Sequence, residues 1–389
     1  MKIVFFARIV PDLCGAFLHD IDLATELQKR GHQVAFMSMI IGKEGVNGGT
    51  YRGFRYMHYT AGMYPLETSD LWITPHSPIL PDVRKLNLRG FNRPIIATCH
   101  FDGNYTSISA YADRASSAEM LFFINSTMEA NYRKNIAPWP RMIKKTSVIR
   151  PILHREKIEI LEPFQGDCIT LVNANQNKGV HVFVDLARRL PDRKFLAVLP
   201  YYGERNVPPA PSNLEWIPFK DDIREVLKRT RILIFSSYYE SFGRIAVEAM
   251  TNGIPVLYSK PNPNSIYPGG STEGVEEWIR PVGIPCEREQ PESWISAIER
   301  LDDAEVYATT SEDCKRHIHE MNIFDEASRI AGLVESFARE NPVVIRVSTP
   351  AEAKPSGQSV AASGGLPRLQ QEFAQPGFSF ASGRLRIRR

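Results

Sequence analysis

Short apolar runs rich in β-branched residues alternate along this chain with stretches whose apolar residues recur at helical spacing. Ile232 to Phe235 and Ile254 to Leu257 are two such runs, and between them Phe242, Ile245, Ala246, Ala249 and Met250 mark one face of a helix. Gly253 follows the last helical residue, where a left-handed cap costs least, and Pro255 comes once the helix has stopped. The stretch therefore predicts strand, loop, helix, turn and strand. The same alternation predicts strands over 3–10, 33–37, 51–59, 70–74, 94–99, 121–124, 168–172, 195–199 and 214–217. It predicts helices over 221–228, 291–301 and 322–338, and one carrying Leu18, Ile21, Leu23, Ala24 and Leu27 that ends at Arg30-Gly31. Repeated strand–helix–strand units predict parallel sheets whose ligands bind beyond the carboxyl ends of the strands.

Two carboxylates punctuate the central unit, Glu240 in the loop before the helix and Glu248 two turns into it. Glu240 stands beside the amides of Ser241, Phe242 and Gly243 at the mouth of the helix. Gly243 removes a side chain where a backbone would approach a ligand. This suits a ligand with both a phosphate and several hydroxyls; a macrodipole partner and a solvated glutamate are the plainer alternative. Lys178-Gly179, at the start of a further predicted helix after the loop 173–177, joins a cation to another amide-rich helix start.

The wording SxxESFGRIAVEAMTNGIPV resembles the donor-site signature of the family four retaining glycosyltransferases. The resemblance runs from Met1 to near Glu340 and implies an α/β chain of GT-B fold, two facing Rossmann-like domains with a cleft between them. It implies that Glu240 contacts hydroxyls of a donor sugar, that Glu248 binds the ribose, and that amides from Ser241 to Gly243 hold the diphosphate. It also places Lys178 and Gly179 on the phosphates and His100, just after the strand 94–99, on the sugar. Gly15 stands at the first strand-to-helix turn, where the family usually has a glycine pair; here Cys14 precedes it. Asn173-Ala174 replaces the family's Gly-Arg, so either another residue such as Arg244 or Lys260 supplies the second phosphate charge or the leaving group is held more weakly. No metal or cofactor is implied beyond the nucleotide-diphosphate sugar that serves as donor.

Length divides the chain further. At 389 residues it exceeds what one core usually supports. The expected domains are 1–150, which would bind the acceptor, and 167–325, which would bind the donor. A linker over 151–166 joins them, 326–340 forms a helix crossing back to the first domain, and 341–389 is an unstructured tail rich in Ala, Ser, Gly, Pro and Gln, ending in a basic cluster.

Composition narrows the partners little. Hydrophobic content of 43% excludes wholesale disorder, and a net charge of +3 gives no global attraction to polyanions. Five scattered cysteines without a C-x-x-C pair argue for a reducing compartment, hence a cytoplasmic protein, and against structural zinc. Asp20 and Asp22, two apart on the first helix, read as a solvated face with His19 beside them, and Ser126 or Thr127 as the cap of a later helix. His76 ends a strand and reads as structural. Pro218-Phe219 is placed beside the base, Tyr202-Gly203 near the nucleotide, and Gly269-Gly270 at a phosphate-facing turn. The stretches 83–93 and 131–145 are basic and dotted with aromatics; a membrane surface, nucleic-acid phosphates and an ordinary basic surface all fit them. The acceptor is accordingly a glycan, a lipid-linked saccharide or a modified DNA base. A GT-B protein that has lost transfer and only binds nucleotide or nucleic acid is the alternative reading.

Overall fold

A computed structural model describes residues 1–343 apart from 12–13, 42–46, 77–78, 101–117, 136–142, 202–207 and 263–271. Two α/β layers with parallel sheets carry the chain. The first sheet holds β1 (Lys2–Ala7), β2 (Gln33–Ser38), β3 (Gly48–Tyr51), β4 (Phe54–His58), β5 (Leu71–Pro75), β6 (Ile95–Cys99), β7 (Met120–Phe123) and β8 (Lys145–Val148) in the order β3-β4-β2-β1-β5-β6-β7-β8. The second holds β9 (Cys168–Val172), β10 (Lys194–Val198), β11 (Leu214–Ile217), β12 (Thr230–Phe235), β13 (Val256–Ser259) and β14 (Ile284–Cys286) in the order β11-β10-β9-β12-β13-β14. All described pairs are parallel except β3 with β4. The strand order reverses between β1 and β5 in one sheet and between β9 and β12 in the other, and crevices open outside the carboxyl ends at such points.

Strand alternation sorts the core. Ile3, Phe5 and Ala7 face one apolar cluster, while Val4 and Phe6 face another on the opposite side of the sheet. The first cluster is continuous through the molecule: it includes Leu233, Phe235, Phe242 and Val275 of the second half and Ile330, Val334 and Phe337 of the last helix. That helix, Glu326–Glu340, lies along helix Gly15–Lys29. Glu335 there meets His32 at 2.9 Å and Arg30 at 3.3 Å.

The structure departs from the sequence reading at four places. The strand predicted over 51–59 is an antiparallel hairpin, because Arg52 and Gly53 both take positive φ (49° and 86°) and reverse the chain between Tyr51 and Phe54. Helix Ala304–Glu320 was not predicted: its only buried side chains are Cys314 and Ile318, which leave no apolar stripe to read. The cap of helix Ser126–Asn135 is Asn125, whose Oδ1 accepts from Met128 N at 2.6 Å, rather than Ser126 or Thr127. Residues 151–166 are not a bare tether, since Ile152, Leu153 and Ile158 are buried and Asn252 holds the backbone at Ile158 and Ile160.

Candidate functional site

Two loops leave the second sheet at its reversal point, 173–179 after β9 and 236–243 after β12. They are packed together: Tyr238 N donates to Asn177 O at 2.8 Å, and Ser236 Oγ donates to Lys178 O at 2.8 Å. Each ends on a glycine in the left-handed region that caps the next helix. Gly179 (φ 73°) precedes Val180–Arg189, and Gly243 (φ 80°) precedes Arg244–Thr251. A β-carbon on Gly179 would lie 2.4 Å from Ser236 O, and one on Gly243 would lie 2.7 Å from the Phe235 ring. Both glycines are therefore required by close approach as well as by conformation.

Across the mouth of these loops Lys178 Nζ is ion-paired with Glu240 Oε2, both side chains about one fifth exposed (20% and 17%). The pair brings together the two residues that the resemblance assigns to different parts of a donor. Asn173, in place of the family's glycine, adopts φ 62°, a left-handed conformation that asparagine tolerates better than most residues. Ala174 beside it is buried, so no cation reaches out from that position.

The peptides after Glu240 are fixed by their carbonyls. Asn125 Nδ2 donates to Ser241 O at 2.6 Å, and Trp278 Nε1 donates to Phe242 O at 2.9 Å, with the Phe242 ring buried and stacked on Trp278. Neither Asn125 nor Trp278 carries a sequence signal: an asparagine after a strand reads as a helix cap, and a tryptophan in a helix reads as core.

Arg244 is engaged by the linker and the first helix. Its Nη1 donates to Ile152 O at 3.0 Å, and its Nη2 lies 3.9 Å from Asp22 Oδ2. Lys260 pairs with Glu287 at 2.6 Å. Neither proposed source of a second phosphate charge is thus unengaged. Glu248, one turn beyond Arg244, is half-buried; burial raises its carboxyl above the ordinary range, and Arg244 opposes the rise.

From the first sheet, Gly15 opens helix Gly15–Lys29 with its α-carbon toward Arg244; a β-carbon there would lie 3.9 Å from Arg244 Cδ. His100 follows β6 and meets His19 edge to face, ring centroids 5.6 Å apart. Burial, and then the charge of Arg244, hold His100 down at about 4, so it is neutral at pH 7. His19 lies well below its ordinary value for the same first reason, and its Nδ1 accepts from Ile152 N at 3.2 Å. The solvated face expected at Asp20 and Asp22 is instead buried, at 2% and 6% exposure; over Asp22 the linker residues His154 and Lys157 close in, with Arg244 3.9 Å away. Burial pushes the Asp22 carboxyl up, but the contact with His154, 3.1 Å away, together with Arg244 and Lys157, outweighs it and holds the group below its usual range. Among the described residues no three His, Cys, Asp or Glu side chains are grouped to hold a metal ion.

Other expectations fall outside this centre. His76 is buried against Tyr132, and burial lowers it to about 3. Phe219 lies beyond the end of β11, exposed and edge to face with Tyr201 at 5.2 Å. Tyr202-Gly203, Gly269-Gly270 and the tail from 344 lie outside the described residues. The basic stretch 83–93 is largely committed internally, with Arg84 on Glu119 and Arg93 on the carbonyls of Leu66 and Glu67. In the second stretch, Lys144 reaches Asn341 and Lys145 reaches Glu340. A cavity of about 740 Å³ between residues 159–166 and Ser311 and Lys315 sits by Arg231 and Ile254, at the amino ends of the strands and away from these loops. No helix of the described residues is long and apolar enough to cross a membrane.

The arrangement of the two sheets is shared with known structures as a fold. The chain resembles sucrose-phosphate synthase from Thermosynechococcus elongatus with a TM-score of 0.65 at 14% identity, over 87% of this chain and 98% of that one. The chain has the GT-B fold. Residues 210–316 match the family described as glycosyl transferases group 1, a broader description than family four. A further GT-B neighbour is an alpha-glucosyltransferase solved with UDP and a 13-mer DNA containing an HMU base (TM-score 0.56, 13% identity, 85% of this chain and 98% of that one). Over 125 residues, 32% of the chain, it is 28% identical to the D-inositol 3-phosphate glycosyltransferase of Corynebacterium kroppenstedtii, and the match spans 26% of that relative's length. The group 1 match covers β11 to β14 and so takes in Glu240, Gly243 and Glu248 of this GT-B chain.

Proposed function

We propose that this GT-B protein is a retaining glycosyltransferase that moves a sugar from a nucleotide-diphosphate sugar to an acceptor hydroxyl. The observation that carries the reading is the Lys178–Glu240 pair between two glycine-capped helix starts, beside peptides whose carbonyls are turned aside by Asn125 and Trp278. A cation, a carboxylate and outward amides suit a diphosphate next to sugar hydroxyls. The group 1 match, which takes in Glu240, Phe242, Gly243 and Trp278, agrees with it.

In this reading Lys178 and the amides of Phe242 and Gly243 hold the diphosphate, Glu240 holds the sugar hydroxyls, and Glu248 binds the ribose. His100, neutral at pH 7, contacts the sugar from the first sheet. The bond from the anomeric carbon to the diphosphate oxygen breaks while the acceptor oxygen enters on the same face. The acceptor proton passes to the departing diphosphate, whose added charge Lys178 and the two amides stabilise. The acceptor is a glycan, a lipid-linked saccharide or a modified DNA base. The internal commitments of Arg84 and Arg93 leave the 83–93 stretch a poor phosphate-binding row, which counts against DNA there.

The test is a panel of nucleotide sugars against the purified protein, following nucleoside diphosphate release and the anomeric configuration of the product, with and without hydroxymethylated DNA. One donor should give release and a product of retained configuration. Glu240→Gln and Lys178→Ala should then each lower kcat by about 100-fold, with melting temperatures near wild type. Unchanged rates in both variants would remove these roles, and donor binding without release would establish the lapsed, binding-only alternative.

A further inference from the structure

We propose that Asn125, a residue of the first sheet, is a positioning residue for the donor diphosphate. This rests on the donor-site reading above and adds to it a group from the opposite wall of the cleft. In a trans peptide the N–H points opposite to the C=O. Tying Ser241 O therefore directs the N–H of Phe242, and tying Phe242 O directs that of Gly243. The first carbonyl is held by Asn125 at 2.6 Å and the second by Trp278 at 2.9 Å. The two amides expected to meet the diphosphate are aimed by these two side chains.

Asn125 has one orientation available. It follows β7, is 5% exposed, and its Oδ1 accepts from Met128 N at 2.6 Å, so its Nδ2 must face the Ser241 carbonyl. A second, independent feature protects the contact. Gly274, in the first turn of helix Glu273–Ile279, packs against it, and a β-carbon there would lie 2.2 Å from Asn125 Nδ2 and 2.5 Å from Ser241 O. Next to it, exposed Glu277 of the same helix accepts from Ser126 N at 3.1 Å and Thr127 N at 3.2 Å, so helix Glu273–Ile279 is itself tied to the start of helix Ser126–Asn135 beside the Asn125 contact. The Phe242 amide is thus aimed only while the first sheet's Asn125 is docked on the second sheet's loop. Diphosphate binding and the apposition of the two halves become one event.

Asn125→Asp keeps an acceptor for Met128 N but has no donor for Ser241 O. Gly274→Ala leaves Asn125 intact and intrudes on the contact, and Asn125→Ser keeps a helix cap too short to reach across. Affinities for UDP, GDP, uridine and guanosine are measured by calorimetry on the full chain, alongside melting temperature. The expected result is that all three variants weaken the diphosphate bound by wild type about tenfold, the worth of one hydrogen bond to a charged group, while its nucleoside binds unchanged. Equal losses for diphosphate and nucleoside would mean a merely structural role, and no loss in any variant that melts near wild type would leave Asn125 without this function; either overturns the proposal. Failure of wild type to bind either diphosphate would overturn the donor-site reading itself, and the inference with it.

Discussion

Asp20 is 2% exposed, its Oδ1 has no hydrogen-bond partner, and burial raises its carboxyl well above the ordinary carboxylate range. It is held protonated at a pH where the unfolded chain would ionise it. A group raised in this way adds stability below its unfolded value and loses it as the pH rises toward the folded one. Asp20→Asn removes the titration. Its melting temperature should exceed wild type at pH 7, and the difference should shrink as the pH is lowered toward 4; a difference independent of pH would show that Asp20 is ionised in the folded protein. Such a residue is invisible in sequence, where an aspartate on a helix reads as solvated. Lys178 and Glu240 stood out in the sequence because each lies at a predicted helix start, but their direct pairing did not, since 62 positions separate them.

At the scale of elements, the two glycine-capped loops make unequal demands. An alanine at either site enters the left-handed region, which costs on the order of 1–3 kcal/mol. At Gly179 the new methyl would meet a backbone oxygen, whereas at Gly243 it would meet the edge of the Phe235 ring. Backbone in a packed loop yields less than a ring. Gly179→Ala should therefore destabilise more than Gly243→Ala in urea denaturation, and the reverse order would mean that the loop 236–243 is the stiffer of the two. Glycine placement made both loops readable from the chain: each stands between a short β-branched run and a helical stripe. Helix Ala304–Glu320, by contrast, lies mostly in solvent, and a helix with so narrow an apolar face leaves little period to find.

For the molecule as a whole, one apolar cluster joins the facing sides of both sheets and the last helix. Phe337, fully buried in it, should cost about 3–5 kcal/mol when replaced by alanine. Because the cluster is shared, calorimetry of Phe337→Ala should show a single unfolding transition at reduced temperature. Two separated transitions, with only one displaced, would show that the halves unfold independently. The same continuity explains why Asp22, Arg244 and the linker at Ile152 come together: they lie where the halves meet.

Local patterning decided the strands and helices, their parallel arrangement and the glycines and charges of the two capped loops, because strand period, helix period and left-handed turns are written over a few adjacent residues. Contacts between distant parts of the chain decided the rest. Asn125 reaches Ser241 across 116 positions, and Arg244 lies near Asp22 rather than beside the amides it follows. No local preference encodes such a meeting; it exists only once both sheets have folded and closed on one core.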